Sequence, residues 1–369
     1  MTARRIPFMS LVPHDDAAAV RSAIDRVIAR GWFILGPEVD AFEQEFAAAS
    51  GAAHAVAVGT GTDAIALTLR ALGIGAGDEV ITTPLSAAYS ALAIMMAGAR
   101  PVFVDVEPGR LTVDPQRVAD AIGPRTRAIL PVHLYGQAAD MTAIAEVASR
   151  RGLVIVEDCC QAHLATAGGR PVGTIGAAGA FSFYPTKNLG ALGDGGAIVT
   201  GDAALADRLK RLRNGGQTDR YRHVEPGVNS RLDEIQAAIL RARLPYLSNW
   251  TVRRRALAAR YRRQLAGDAI DLIPEFEAGH VYHLFVVRTA VRRELQAHLA
   301  ARGIETLIHY PVPIPHQPAL AGVDPAECPV ASRACEEILS LPLHPAMADD
   351  DIDFIAEAVH AFAPQRQAF

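Results

Sequence analysis

Lysine is almost absent from this chain: of 36 basic residues among 369, only Lys187 and Lys210 are lysines. Arginine supplies fixed positive charge as well on most surfaces, so lysine survives only where something else is needed. A deprotonated lysine amine condenses with an aldehyde, which a guanidinium cannot do. Cysteine is scarce too. Cys159, Cys160, Cys328 and Cys335 form no C-x-x-C pair with ligand-type spacing, so no metal site is expected and a reduced cytoplasm fits. Cys159 and Cys160 read as small apolar fillers beside a buried strand. There is no excess of positive charge: the net charge of −4 and pI near 6.3 offer no face to a nucleic-acid backbone or an anionic membrane. Long apolar runs are missing as well. Ala87 to Ala99 is the longest and falls short of the ~20 residues that span a bilayer. Pro7 and Pro13 break the N-terminus before any run reaches signal-peptide length. A cytoplasmic protein with neither membrane nor nucleic-acid partner is expected.

What the chain does have is bulk and rhythm. With half its residues hydrophobic, it exceeds what one core usually serves, and two lobes are expected, 1–245 and 246–369. Val20, Ile24, Val27 and Ile28 recur at helical spacing up to Gly31, and Pro37 starts a second amphipathic segment. Short β-rich runs then follow, at 54–58, 79–82, 101–105, 128–132 and 153–157. They alternate with helices starting near Thr62, Ser86, Asp114 and Asp140. The pattern is α/β, a mostly parallel sheet sandwiched by helices, whose ligands collect beyond the carboxyl ends of the strands. Two more strands, 179–184 and 196–200, flank an irregular loop, and a helix runs from Ala203 to about Leu212. Beyond Asn229 come helical stretches at 232–244 and 252–265, a linker, a strand at 280–289, a helix at 292–302 and a proline-rich loop at 307–318. These suit a smaller α+β lobe.

The two lysines differ in setting. Lys210 lies in ADRLKRLR, a charged helical stretch best explained as a solvated face. Lys187 follows FSFYPT in the loop leaving a buried strand, where an amine is costly without a purpose. A phosphate-neutralising or salt-bridged lysine is the competing explanation, and the surrounding constellation decides. A pyridoxal enzyme needs an amine for the aldehyde, an acid to keep the pyridine nitrogen protonated, and donors for a dianionic phosphate. Asp158 ends LVIVED one crossover before the Lys187 strand and suits the second role, although a turn aspartate looks the same locally. AVAVGTGTDA, strand then glycine turn then helix, offers free N–H groups and hydroxyls for the third.

The same segment, Gly59-x-Gly61-x-x-Ala64, also satisfies a dinucleotide fingerprint, so an NAD(P)-dependent oxidoreductase is the rival from another class. That rival wants an acid after the second strand, whereas Asp78 and Glu79 come before it. A non-catalytic binding protein on the same fold is a third possibility, against which the presence of both Lys187 and Asp158 argues.

Taken together, RGWFILGPEVDAFEQEFA (30–47), GTGTDAIAL (59–67), VHLYGQAADM (132–141), EDCCQAH (157–163), FSFYPTKNLGALGDGGAIVT (181–200), NSRLDEIQAAIL (229–240) and HYPVPIPHQPAL (309–320) resemble the DegT/DnrJ-type nucleotide-sugar aminotransferases, within fold type I of the pyridoxal-phosphate enzymes. The resemblance implies that Lys187 forms the imine with pyridoxal 5′-phosphate and shuttles the proton, and that Asp158 pairs with the pyridine nitrogen. It places Gln161 near the ring hydroxyl and Gly61, Thr62 and Ser182 at the phosphate. Asn229 would reach the phosphate of a neighbouring subunit, which implies a homodimer. Histidine replaces the lysine in the family's dehydratases, so Lys187 implies a transferase. The family stacks an aromatic over the cofactor where this chain has Ala87, with Tyr89 as the candidate substitute, and Cys160 stands where alanine is usual. Implied substrates are nucleotide-linked keto-6-deoxy sugars, with L-glutamate as donor. FYPTKNLGALGDGG looks closer to members acting at C3 than at C4. The HYPVPIPHQ loop, with His309, Tyr310 and His316, resembles the substrate-side segment, although a rigid connector with surface histidines explains it as well.

Overall fold

The computed structural model describes residues 4–266, 270–320, 322–323 and 326–362. The opening helices are α1 (Ala17–Arg30) and α2 (Pro37–Ala49), followed by β1 (His54–Val58), α3 (Gly61–Ala71), β2 (Glu79–Thr82), α4 (Tyr89–Met96) and β3 (Arg100–Phe103). Next come α5 (Pro115–Ala121), β4 (Thr126–Leu130), α6 (Met141–Arg151), β5 (Val154–Asp158), the short hairpin β6 (Thr166–Ala167) and β7 (Arg170–Pro171), β8 (Ala178–Ser182), β9 (Gly196–Thr200) and α7 (Ala203–Leu212). A second hairpin, β10 (Gln217–Asp219) and β11 (Arg222–His223), leads to α8 (Glu234–Arg243) and α9 (Leu247–Gln264).

Seven strands form one sheet in the order β1-β9-β8-β5-β4-β2-β3. The pairs β2–β3, β2–β4, β4–β5 and β5–β8 are parallel; β8–β9 and β1–β9 are antiparallel. Helices alternate with β1 to β5, and crossovers of that length permit parallel neighbours. The connection from β8 to β9 has no helix and simply folds back. Since β1 and β8 both run opposite to β9, their carboxyl ends and that of β5 share one edge. Successive residues feed opposite faces: Ala55 and Ala57 join one core with Phe46, Phe181 and Phe183, while Val56 and Val58 join the other with Ile65, Leu69 and Ile198.

Two motifs act as buried staples. Glu234 of α8 accepts from the N–H groups of Gly36, Glu38 and Val39 at 2.8–2.9 Å, capping α2 from 195–198 residues away. Glu157 accepts from the N–H groups of Gly173, Ile175 and Gly176 and pairs with His133 at 3.1 Å. Ala139 N–H donates to His133 Nδ1, so the ring proton sits on Nε2 and faces Glu157.

A second sheet, β12 (Asp271–Leu272), β13 (Phe285–Arg288) and β14 (Ile338–Leu341), is antiparallel throughout. It packs with α9, α10 (Arg292–Ala301) and α12 (Asp349–His360), and α11 (Pro329–Glu337) leads into β14. Ile6 joins this core and bridges to Ile304, so the N-terminal segment runs across to it. The linker expected after Leu265 lies partly at 267–269, outside the described residues. Of the strand expected at 280–289, only Phe285–Arg288 forms one. The preceding residues turn their polar groups to the large sheet's loops instead: Val281 N–H donates to Gly136, and Asn188 Nδ2 donates to Val281.

Candidate active site

The shared strand edge gathers most of the expected residues around one cavity of about 610 Å³, lined among others by Gly61, Thr62, Asp158, Gln161, Ser182, Lys187 and Tyr310. Asp158 closes β5, buried. Ser90 Oγ donates to its Oδ2 at 2.7 Å and Cys160 N–H to its Oδ1 at 3.1 Å. Both oxygens are thus oriented by neighbours that carry no charge, and the carboxylate keeps lone pairs for a further donor. Lys187 enters from the β8–β9 connection, its own N–H bonded to Tyr184 C=O at 2.8 Å. Burial pushes its amine below the ordinary lysine range, with Cys160 and Asp158 opposing. That is the direction a nucleophilic amine needs.

At the amino end of α3, Thr60 caps the helix by accepting from Asp63 N–H at 3.0 Å. The N–H groups of Gly61 and Thr62 precede the first helical bond and find no helix carbonyl. A Cβ on Gly61 would lie 2.7 Å from Ser182 Cβ and 2.8 Å from Cys160 Sγ. Only glycine allows strand and helix to close here. Open amides at a helix amino end, a hydroxyl from Ser182, an acid across the cavity and a depressed lysine suit a phosphorylated pyridine aldehyde.

Gln161 is held on both sides: its Oε1 accepts from Tyr135 N–H at 2.8 Å and its Nε2 donates to Tyr310 Oη at 3.1 Å. Tyr135 has φ of 59°, an uncommon backbone for a bulky residue, and its hydroxyl donates to His309 C=O. The cavity therefore joins large-sheet loops to the loop at 309–320. Ala87 and Tyr89 both line it, and Tyr89 is 64% exposed. Cys160 also lines it, and burial raises its thiol well above the usual range, which keeps it protonated.

Three expected residues are not brought to this cavity. His309 turns its Nδ1 to Ser340 Oγ at 2.9 Å, and burial lowers its pKa to about 4. His316 is exposed at the end of a 3-10 turn. Asn229 is exposed and bridged to Asn214. Conversely, Ser90, Thr186 and Tyr184 line the cavity and Tyr135 supports Gln161, although no motif in the sequence points to them. The hydroxyl-x-x-acid spacing of Thr60 and Asp63 was a readable cap; nothing local marked Ser90 or Tyr135. Lys210 is exposed on α7, 3.8 Å from Glu43. His163 sits between Phe181 and Phe183 with neither ring nitrogen bonded, and burial lowers its pKa to about 3.

The dinucleotide fingerprint fails on topology. It requires β1 and β2 to be parallel neighbours, yet β1 lies at the sheet edge beside antiparallel β9, and β2 pairs with β3 and β4. What the fold and the lysine–aspartate edge define is a fold type I aminotransferase, and this holds against known proteins. The model of the DegT/DnrJ/EryC1/StrS aminotransferase family matches residues 14–360, and the chain belongs to that family. It is 50% identical over 365 residues to the dTDP-3-amino-3,4,6-trideoxy-alpha-D-glucose transaminase of Streptomyces venezuelae, covering 97% of this chain and 96% of that one. It is 44% identical over 360 residues to the dTDP-3-amino-3,6-dideoxy-alpha-D-galactopyranose transaminase of Aneurinibacillus thermoaerophilus, covering 97% and 99%. The crystal structure of S. venezuelae DesV in complex with a ketimine intermediate superposes with a TM-score of 0.93 at 50% identity, covering 96% of this chain and 98% of that chain. No helix among the described residues is long and apolar enough to cross a membrane.

Proposed function

We propose that the protein moves an amino group from an amino acid, L-glutamate by preference, to a nucleotide-linked 3-keto-6-deoxy sugar, using pyridoxal 5′-phosphate held at Lys187. The observation that carries this is the meeting of a lysine amine depressed by burial with Asp158 and the open amino end of α3 around one cavity. When bound, the cofactor supplies an electron sink that lets a proton leave the carbon bearing nitrogen. The chain does the rest. Asp158, fixed by Ser90 and Cys160, would pair with the pyridine nitrogen and keep it protonated. Gly61, Thr62 and Ser182 would hold the phosphate, and Gln161, fixed by Tyr135 and Tyr310, would hold the ring hydroxyl. Lys187 would supply the amine that holds the cofactor, and its Nζ, depressed by burial, would serve as the base that takes up and returns a proton.

Preference for C3 is supported by the two relatives above, both named as 3-amino sugar transaminases. The division into lobes at residue 246, the homodimer, the reach of Asn229 into a neighbouring site and a cytoplasmic location belong to the same proposal. In support of the dimer, Trp32, Phe33 and Ile34 are exposed in one run, beside Asp233 and Glu234. Exposed apolar runs of this kind mark contact surfaces.

Borohydride treatment of the holoenzyme should add the reduced cofactor's mass to the peptide carrying Lys187; an unaltered peptide overturns the proposal. A panel of nucleotide-linked 3-keto and 4-keto sugars assayed with glutamate should show turnover of the 3-keto compounds. Turnover of free keto acids alone would remove the sugar from the reading.

A further inference from the structure

The loop that carries Lys187 is held on both sides of it. Lys187 N–H bonds to Tyr184 C=O, and Gly190 C=O accepts from Arg243 Nη1 at 2.6 Å. Between them Asn188, next to Lys187 in the chain and buried, sends its side chain to a segment 93–95 residues away. Nδ2 donates to Val281 C=O at 3.2 Å, and Oδ1 lies 3.2 Å from Nδ1 of His283, which is also buried. A carbonyl can only accept, so Val281 fixes which way the amide points. Oδ1 must then accept from His283, and the imidazole carries its proton on Nδ1. His283 faces Lys187, Arg254, His309 and His163; burial first, then the Lys187 and Arg254 charges, hold it well below the usual range, so it stays neutral.

The partners are themselves fixed. Val281 N–H donates to Gly136 C=O at 2.9 Å, and Arg254 Nη1 donates to the carbonyls of Tyr282, His283 and Leu343 at 2.9–3.3 Å. Packing alone would be served by an apolar residue at 188, since a buried amide costs free energy unless both its ends are bonded. The amide instead makes a directional link from 281–283 to the residue beside the nucleophile, and it brings no charge next to an amine that must be uncharged to react. We propose that Asn188 and His283 are positioning residues for Lys187, a neutral buried pair that sets where its amine reaches and keeps water from its stem. The inference rests on the aminotransferase reading above.

The chain has two lysines, so acetylation of the cofactor-free full chain with acetic anhydride over a pH series, read on the two peptides by mass, titrates Lys187 against exposed Lys210 as internal standard. Burial is the first cause of the depressed Lys187 amine, with Cys160 and Asp158 opposing. Loosening the loop in Asn188→Ala or His283→Leu admits water, so the titration should move up, toward the ordinary lysine value, by about one pH unit. In the holoenzyme the same variants should lower kcat by about ten- to a hundred-fold, the scale of a misplaced reacting group, with KM for the amino acid nearly unchanged. His283→Asn keeps an N–H donor close to the place of Nδ1 and should restore both readouts toward wild type. Variants that only lower the melting temperature, with titration and kcat where they were, overturn the proposal, as does equal loss in His283→Asn and His283→Leu. The titration needs neither cofactor nor substrate, so failure of the aminotransferase reading shows separately, as a Lys187 peptide that borohydride does not modify.

Discussion

Asp158 and Ser90 show how a candidate site residue depends on a neighbour that no motif predicts. The 2.7 Å bond from Ser90 places one carboxylate oxygen while the Cys160 amide places the other. Ser90→Ala should therefore loosen Asp158 without removing its charge. The loss of a hydrogen bond to a charged acceptor is worth about 1.5–3 kcal/mol, read as cofactor affinity lowered by about ten- to a hundred-fold. Asp158→Asn removes the charge itself and should lower kcat by about two to four orders of magnitude even with saturating cofactor. The two variants separate on that comparison: excess cofactor should rescue Ser90→Ala and leave Asp158→Asn slow. Equal behaviour of both would show that Ser90 does not act through Asp158.

At the scale of elements, the decisive contact is the amino end of α3 against the end of β8. Gly61 has no left-handed backbone to explain it; it is required because a methyl group would meet Ser182 and Cys160 below 3 Å. Gly196 is subject to the same constraint, since a Cβ there would lie 2.3 Å from Thr60 C=O. Gly61→Ala should push α3 off the sheet, costing about 1–3 kcal/mol of stability by overpacking and weakening the cofactor more than it lowers the melting temperature. Calorimetric unfolding with and without cofactor checks both. A variant that bound cofactor normally would place the phosphate elsewhere.

For the molecule as a whole, buried neutral histidines set the response to pH. Burial lowers His163 and His280 to about 3, His344 and His309 to about 4, and His283 well below the usual value. The unfolded chain takes up these protons near pH 6.5 and the folded chain does not. Stability is thus fully present above that value and is lost as pH falls toward the folded values, by up to about 1.4 kcal/mol per pH unit for each histidine. Melting temperatures should fall between pH 7 and about pH 5, and His163→Leu should flatten that slope. Assembly makes a second prediction. If Asn229 serves its neighbour, Lys187→Ala and Asn229→Ala proteins should each be impaired, and mixing them after dissociation should restore about a quarter of wild-type activity, through hybrids with one intact site. No gain on mixing would place Asn229 outside the neighbouring site.

Chemistry carried by a residue type was legible from the chain alone. Two lysines among many arginines singled out Lys187, the alternation of strands and helices announced the mostly parallel sheet, and carboxyl ends of strands pointed to Asp158 and the amino end of α3. Periodicity and side-chain chemistry are local properties, and one sequence displays them. Pairing between distant segments is not local. Nothing near Glu234 revealed that it caps α2, nothing near Ser90 or Tyr135 revealed that they hold Asp158 and Gln161, and the fingerprint at Gly59 to Ala64 was discounted structurally only once β1 lay at the sheet edge beside β9. His309 and His316 looked alike in sequence, yet one turns to Ser340 and the other to solvent. Strand order and close approach decide such matters, because they depend on which surfaces bury each other across the chain.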